Sequence, residues 1–144
     1  MATISRFEDI EAWKDARALV KHVYAATNQG PFARDFGLRD QIRRSAVSIM
    51  ANIAEGFERK NSKELAYFLR VARGSCAEVQ SHLYVAIDAD LISKEEFQRL
   101  QSEAAKTGRK ISGFQRYLKS STQESGSQIR DFEPEDHYNP DPPS

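Results

Sequence analysis

Apolar residues recur at spacings of three and four along four stretches of the chain, and turn-forming residues separate each stretch from the next. Such spacing matches one face of a helix with about 3.6 residues per turn. The first stretch places Ile10, Trp13, Val20 and Tyr24 on one predicted face and stops at "TNQGP", where Gly30 and Pro31 break the helix. Ser5 and Glu8 precede it in the Ser-x-x-Glu pattern of a capping box, whose side chains satisfy orphan backbone N–H groups. The second begins near Asp35, carries Leu38, Ile42, Ala46, Ile49 and Ile53, and ends at Gly56 or a turn later. A second capping pattern, Asn61 and Glu64, opens the third, whose stripe of Leu65, Leu69, Ala72, Cys76, Val79, Leu83 and Ile87 is the most regular. The fourth opens on Ser93 and Glu96 and continues through Phe97, Leu100, Ala104, Ile111, Phe114 and Leu118. Sustained alternation and Asn-Gly or Asp-Gly hairpin dipeptides are missing. The pattern predicts an all-α protein, an antiparallel up-and-down four-helix bundle over residues 1–119.

Residues 120–144 differ in kind. They are rich in Ser, Pro and acid, with Ile129, Phe132 and Tyr138 as the sizeable apolar groups. This composition buries too little surface to offset ordering entropy, so a disordered tail is predicted. A sharper alternative makes "IRDF" a docking motif, for a partner or for the basic face of the body.

The second helix is apolar over an unusual width. Ile42, Ala46, Ile49 and Ile53 lie within roughly 80° of Leu38, and Met50, Ala54, Val47 and Ala51 continue the surface to about 220°. Only Arg44, Glu55, Ser48, Gln41 and Asn52 form a polar strip. A helix on the surface of a single bundle needs an apolar stripe of about 100° or somewhat more. Either this helix is central, or it faces its own bundle on one side and another subunit on the other; self-association is the favoured expectation. Tyr67, Val71, Gly74 and Val85 on the far side of the third helix point the same way. The run "SIMANIAEG" belongs to this surface. Ser48, Asn52, Glu55 and Gly56 read as a packing and assembly signature. Asn52 would tie down a backbone group at a helix contact, and Glu55 would pair with Arg44 or an arginine of the third helix. Gly56 would allow close approach or a local break.

Charge alters the picture only when it is located. The formal net charge is zero, yet Lys and Arg outnumber Asp and Glu by 20 to 15 up to Lys119, and one arginine faces six acids thereafter. Arg39, Arg43 and Arg44 cluster on the second helix, Arg59, Lys60 and Lys63 surround the turn into the third, and Arg70 and Arg73 follow. Cations along one surface suit phosphate contacts, and oligomerisation would multiply them into a ring. The competing reading is a solvated face neutralised by Glu55, Glu58 and Glu64.

Candidate chemistry is sparse. Di-iron bundles need Glu-x-x-His on two helices with further glutamates on the others. Here Glu78 and His82 stand alone at i and i+4, and His22 lacks a matching acid, so no metal and no cofactor is expected. The single Cys76 excludes an internal disulfide and falls in an apolar stripe, where a thiol acts as a small hydrophobe. Phosphate-binding glycine loops are missing, and catalysis is not expected. No secretory signal pattern and no run of about 20 apolar residues occurs, so the expectation is a cytoplasmic protein without a membrane span.

The run "GLRDQIRRSAVSIMANIAEGFERKNSKELAYFLRVARGSCAEVQSHLYVA", with "FEDIEAWKDA" before it, resembles the four-helix-bundle family named after the 23S rRNA intervening sequence protein. The resemblance spans residues 7–118 and rests on "QIRR", "NIAEG" and the later Ala-x-Gly-Ser. It implies a bundle assembling as a homopentamer. It also implies kinship with the accessory protein of diversity-generating retroelements, a basic pentameric barrel that binds nucleic acid and a reverse transcriptase. The family name reflects gene position and names no activity. Two departures matter: Met50 stands where proline is common, and this chain is neutral with an acidic tail where the retroelement relatives are strongly basic. The expected function is a non-enzymatic oligomeric scaffold that contacts RNA or DNA through Arg39, Arg43, Arg44, Arg59, Lys60, Lys63, Arg70 and Arg73. The alternative is a protein-only adaptor, with the arginines serving subunit contacts and the tail recruiting a partner.

Overall fold

The computed structural model describes residues 4–121. Four helices follow one another, α1 (Glu11–Thr27), α2 (Phe36–Glu58), α3 (Ser62–Asp88) and α4 (Lys94–Ser121). Each packs on the next and α4 closes on α1, giving the antiparallel bundle with α2 and α3 in the most extensive contact. Of the acidic segment 120–144, Ser120 and Ser121 close α4, and the rest lies outside the described residues.

Three of the expected starts are made by side chains. Asp35 Oδ1 accepts from Leu38 N at 3.1 Å, Asn61 Oδ1 from Lys63 N and Glu64 N at 3.0 Å each, and Ser93 Oγ from Glu96 N at 3.1 Å. The Ser5–Glu8 box does not form. Residues Phe7–Asp9 make a 3-10 turn, Arg6 pairs with Glu8, and α1 starts after Ile10 with no side-chain cap. Burial decides this: Ile4 and Ile10 are buried and Phe7 packs edge-on against Trp13 at 5.3 Å, fixing a turn the caps alone would not choose.

The face of α1 is also rotated from its expected position. Its buried residues are Ala12, Ala16, Leu19, Val23 and Thr27, whereas Trp13 and Val20 are half-buried and Tyr24 is exposed. Small alanines enter the tight interior, and rings with a polar tip stay at the boundary where that tip reaches water. Between α1 and α2, Gly30 takes a φ of +57° and opens a second 3-10 turn (Gly30–Arg34) that buries Phe32 completely. The stripes of α3 and α4 lie as expected except at Ile87 and Phe97, which are half-buried; Leu65, Leu69, Ala72, Cys76, Val79, Leu83, Leu100, Ala104, Ile111, Phe114 and Leu118 are in the core.

α2 buries Ile42, Ser45, Ala46, Ile49, Ile53, Gly56 and Phe57 against its neighbours in the bundle, leaving Val47 and Ala51 exposed and Met50 and Ala54 half-buried. The helix continues unbroken past Met50 to Glu58.

Candidate nucleic-acid interface

Of the polar strip of α2, Ser48 and Asn52 are half-buried and Ser48 reaches α3, whereas Gln41, Arg44 and Glu55 are exposed. Asn52 Nδ2 donates to Ser48 O at 2.8 Å and Ser48 Oγ at 3.0 Å, and Ser75 Oγ of α3 donates to Ser48 Oγ at 2.9 Å. Asn52 thus holds a backbone carbonyl of its own helix, and the serine pair crosses the contact. A turn earlier, Ser45 Oγ donates to Glu78 Oε2 at 3.1 Å. Gly56 provides close approach, with no break: a Cβ there would lie 2.7 Å from Phe68 Cβ and 3.0 Å from Leu65 Cδ1. Glu55 corrects the expected pairing. Its carboxylate takes Arg59 at 2.9 Å, one turn on in sequence, and neither Arg44 nor an α3 arginine. An exposed pair of this kind adds little stability.

The eight cations divide four ways. Arg39 donates to Ala33 O and Asp40 and covers Phe36, and Arg43 donates to Thr27 Oγ1 at 2.8 Å while covering Tyr24. Both fasten α2 to the α1 side. Arg73 turns inward to α4, donating to Ser112 Oγ at 3.0 Å over Gly108, where a Cβ would meet its Nη1 at 2.6 Å. Arg44 stands alone on the outer face of α2, with no hydrogen bond or ion pair among the described residues.

The remaining four gather at the α2–α3 turn. Arg59, Lys63 and Arg70 line an open cleft with Asn61, Glu64, Tyr67 and Phe68, and Lys60, at φ +55°, lies over the Phe57 ring. Lys63, Tyr67 and Arg70 follow at i, i+4 and i+7 and so share one side of α3. Tyr67 is 52% exposed, its ring meets Phe68 edge-on at 5.3 Å, and the Arg70 guanidinium lies 5.6 Å from the ring centre. Lys60, Lys63 and Arg70 have no acidic partner among the described residues; Arg59 shares Glu55. An exposed ring among free cations can stack a base while the cations hold phosphates.

Reactive chemistry is weak elsewhere. Among the described residues, no group of three or more His, Cys, Asp or Glu side chains is placed to hold a metal ion. His22, which lacks a helical partner in sequence, meets Glu103 of α4 at 2.8 Å, and Lys110 reaches Asp15 at 2.8 Å; both join α1 to α4. No local spacing signals either pair.

Burial pushes the Cys76 thiol from 9.0 up to about 12, against a smaller opposing pull from Arg73. The unfolded chain would release this proton near pH 9 and the folded chain only near 12. The stability tied to the neutral thiol is therefore complete below pH 9. It is lost as pH rises through that window, by about 1.4 kcal/mol per pH unit. Urea unfolding is expected to show a steeper fall between pH 9 and 12 for the native chain than for Cys76→Ala, and a thiol reagent should leave folded Cys76 unmodified at pH 8.

The fold has a solved counterpart, a protein of unknown function from the S23 ribosomal protein family of Bacteroides thetaiotaomicron. It superposes with a TM-score of 0.64 at 18% identity, covering 69% of this chain and 94% of that one. At that identity the likeness concerns the fold alone. No curated protein matches this chain. The model of the 23S rRNA-intervening sequence protein family matches residues 8–113, the four helices less the last turns of α4. With "QIRR" and "NIAEG" placed on α2 and the whole of its seam with α3 inside that span, the chain belongs to the 23S rRNA-intervening sequence protein family.

Proposed function

We propose that this protein is a cytoplasmic, non-enzymatic scaffold that assembles from identical subunits and binds RNA or DNA at the α2–α3 end of each bundle. The outer face of α3 carries this reading. Val71 and Val85 are exposed there, and Gly74 has nothing within 4 Å of where a Cβ would stand. A glycine inside a helix costs about 1 kcal/mol relative to alanine. No contact among the described residues needs it, whereas close approach of a second subunit would. Val47 and Ala51 extend the uncovered apolar surface onto α2. A pentamer is the assembly that the family resemblance implies, and it would set five basic clefts in a ring.

In such a ring the cations divide by task. Arg39, Arg43 and Arg73 are engaged within the chain, so contact with nucleic acid falls to Arg59, Lys60, Lys63 and Arg70, with Arg44 beside the subunit contact. Among the described residues, no helix is long and apolar enough to cross a membrane.

Binding to single-stranded RNA, followed by fluorescence anisotropy at several salt concentrations, tests the reading. Phosphate contacts from Lys60, Lys63 and Arg70, the three without an acidic partner among the described residues, add about −2 per engaged cleft to the slope of log affinity against log salt. Lys63→Glu with Arg70→Glu should weaken binding at least tenfold and flatten the slope. No binding at 50 mM salt, in either the full chain or a form with its six tail acids neutralised, would instead favour the protein-only adaptor.

A further inference from the structure

We propose that the chain's own acidic segment, chiefly residues 129–136, docks in the basic cleft lined by Arg59, Lys63, Tyr67, Phe68 and Arg70. The topology brings it within reach. In an up-and-down order the C-terminus of α4 lies at the same end of the bundle as the α2–α3 turn, and α3 and α4 are neighbours. Ile129 is eight residues beyond Ser121, a reach of up to roughly 27 Å when extended. Adjacent helix axes are about 8–10 Å apart, and Arg70 sits about 12 Å along α3 from its start. The segment therefore reaches the whole cleft with slack.

Charge and shape are complementary. Asp131, Glu133, Glu135 and Asp136 bracket Phe132, with Arg130 as the only cation after Lys119. The cleft answers with Lys63 and Arg70, which lack acidic partners among the described residues, and with the exposed Tyr67 ring beside Phe68. Glu64 also lines the cleft, and Glu55 and Glu58 stand on the last turn of α2. Glu64 offsets part of this charge, and Lys63, Arg70 and Arg59 leave the cleft net positive. A tether of this length holds the segment at an effective concentration on the order of millimolar, enough to fill a site of modest affinity. A polyanion and the segment would compete for the same cations. That competition rests on the proposed nucleic-acid binding, whereas docking itself does not.

Carbodiimide cross-linking of the full chain, which joins a lysine amine to a carboxyl with loss of water, reads docking without nucleic acid. Peptide mapping is expected to place Lys60 and Lys63 against Asp131, Glu133, Glu135 and Asp136. Those products should fall severalfold in about 1 M salt, where the screening length is near 3 Å. They should fall equally in Arg59→Glu with Arg70→Glu, which keeps both lysines. Cross-links spread evenly to Lys21, Lys94 and Lys106, or unchanged in the variant, would overturn docking and leave the RNA reading standing. Given docking, neutralising the six acids should tighten RNA binding by about tenfold; cross-links without that gain would remove the competition.

Discussion

Gly56→Leu is expected to lower the unfolding free energy by about 3 kcal/mol and the melting temperature by roughly 10 °C. The Cβ alone would stand 2.7 Å from Phe68 Cβ, an atom fixed to the α3 backbone, so a rotamer change does not relieve the overlap. α3 would have to move, and the Ser48–Ser75 bond of 2.9 Å spans the same seam. Gly56→Ala gains about 1 kcal/mol of helix propensity and still meets the overlap, so its loss should be smaller. Gly74→Ala, with open space around it, should raise the stability of the single chain by up to about 1 kcal/mol. Thermal melts by circular dichroism at one protein concentration decide the order. A Gly56→Leu protein that melts with the parent would show that the helices do not meet closely here.

What the sequence made legible follows from how local each signal is. Asp35, Asn61 and Ser93 cap within three residues, and the stripes of α3 and α4 are set by period alone, so both could be read directly. The start of α1 failed because a capping pattern at Ser5 competed with burial of Ile4 and Ile10, which sequence spacing does not rank. Its face was misjudged because Trp13 and Tyr24 weigh heavily in an apolar pattern, yet the interior accepted Ala12 and Ala16.

The site was legible in part for the same reason. Gly56 signalled close approach, but its partner Phe68 lies on another helix. Among the cations, sequence proximity grouped Arg70 with Arg73, whose directions differ by about 60° around α3, enough to send them to different neighbours. One points outward at Tyr67 and the other into α4. Gly108 and Ser112, four apart on α4, were the available sign that a large side chain is received there. The grouping of Arg59 and Lys60 with Lys63 survived because a three-residue turn leaves them no room to separate.

Val71→Asp combined with Val47→Asp is expected to convert the assembled protein to single chains, seen as a several-fold drop in mass by light scattering. Both valines are exposed in the isolated bundle, so neither carboxylate disturbs the core and the far-UV spectrum should not change. In a contact between subunits the same carboxylates would be buried unpaired, which costs several kcal/mol each. A closed ring repeats that cost at every contact. Assembly also governs recognition, because a ring presents its clefts to one strand together and links their affinities through effective concentration. The double variant keeps Arg59, Lys63 and Arg70 intact, yet its RNA affinity should fall by more than tenfold, together with the mass. A fall in mass with unchanged affinity would assign binding to the lone cleft. A parent chain that is already single at micromolar concentration would leave Gly74, Val47 and Val71 with no part in assembly.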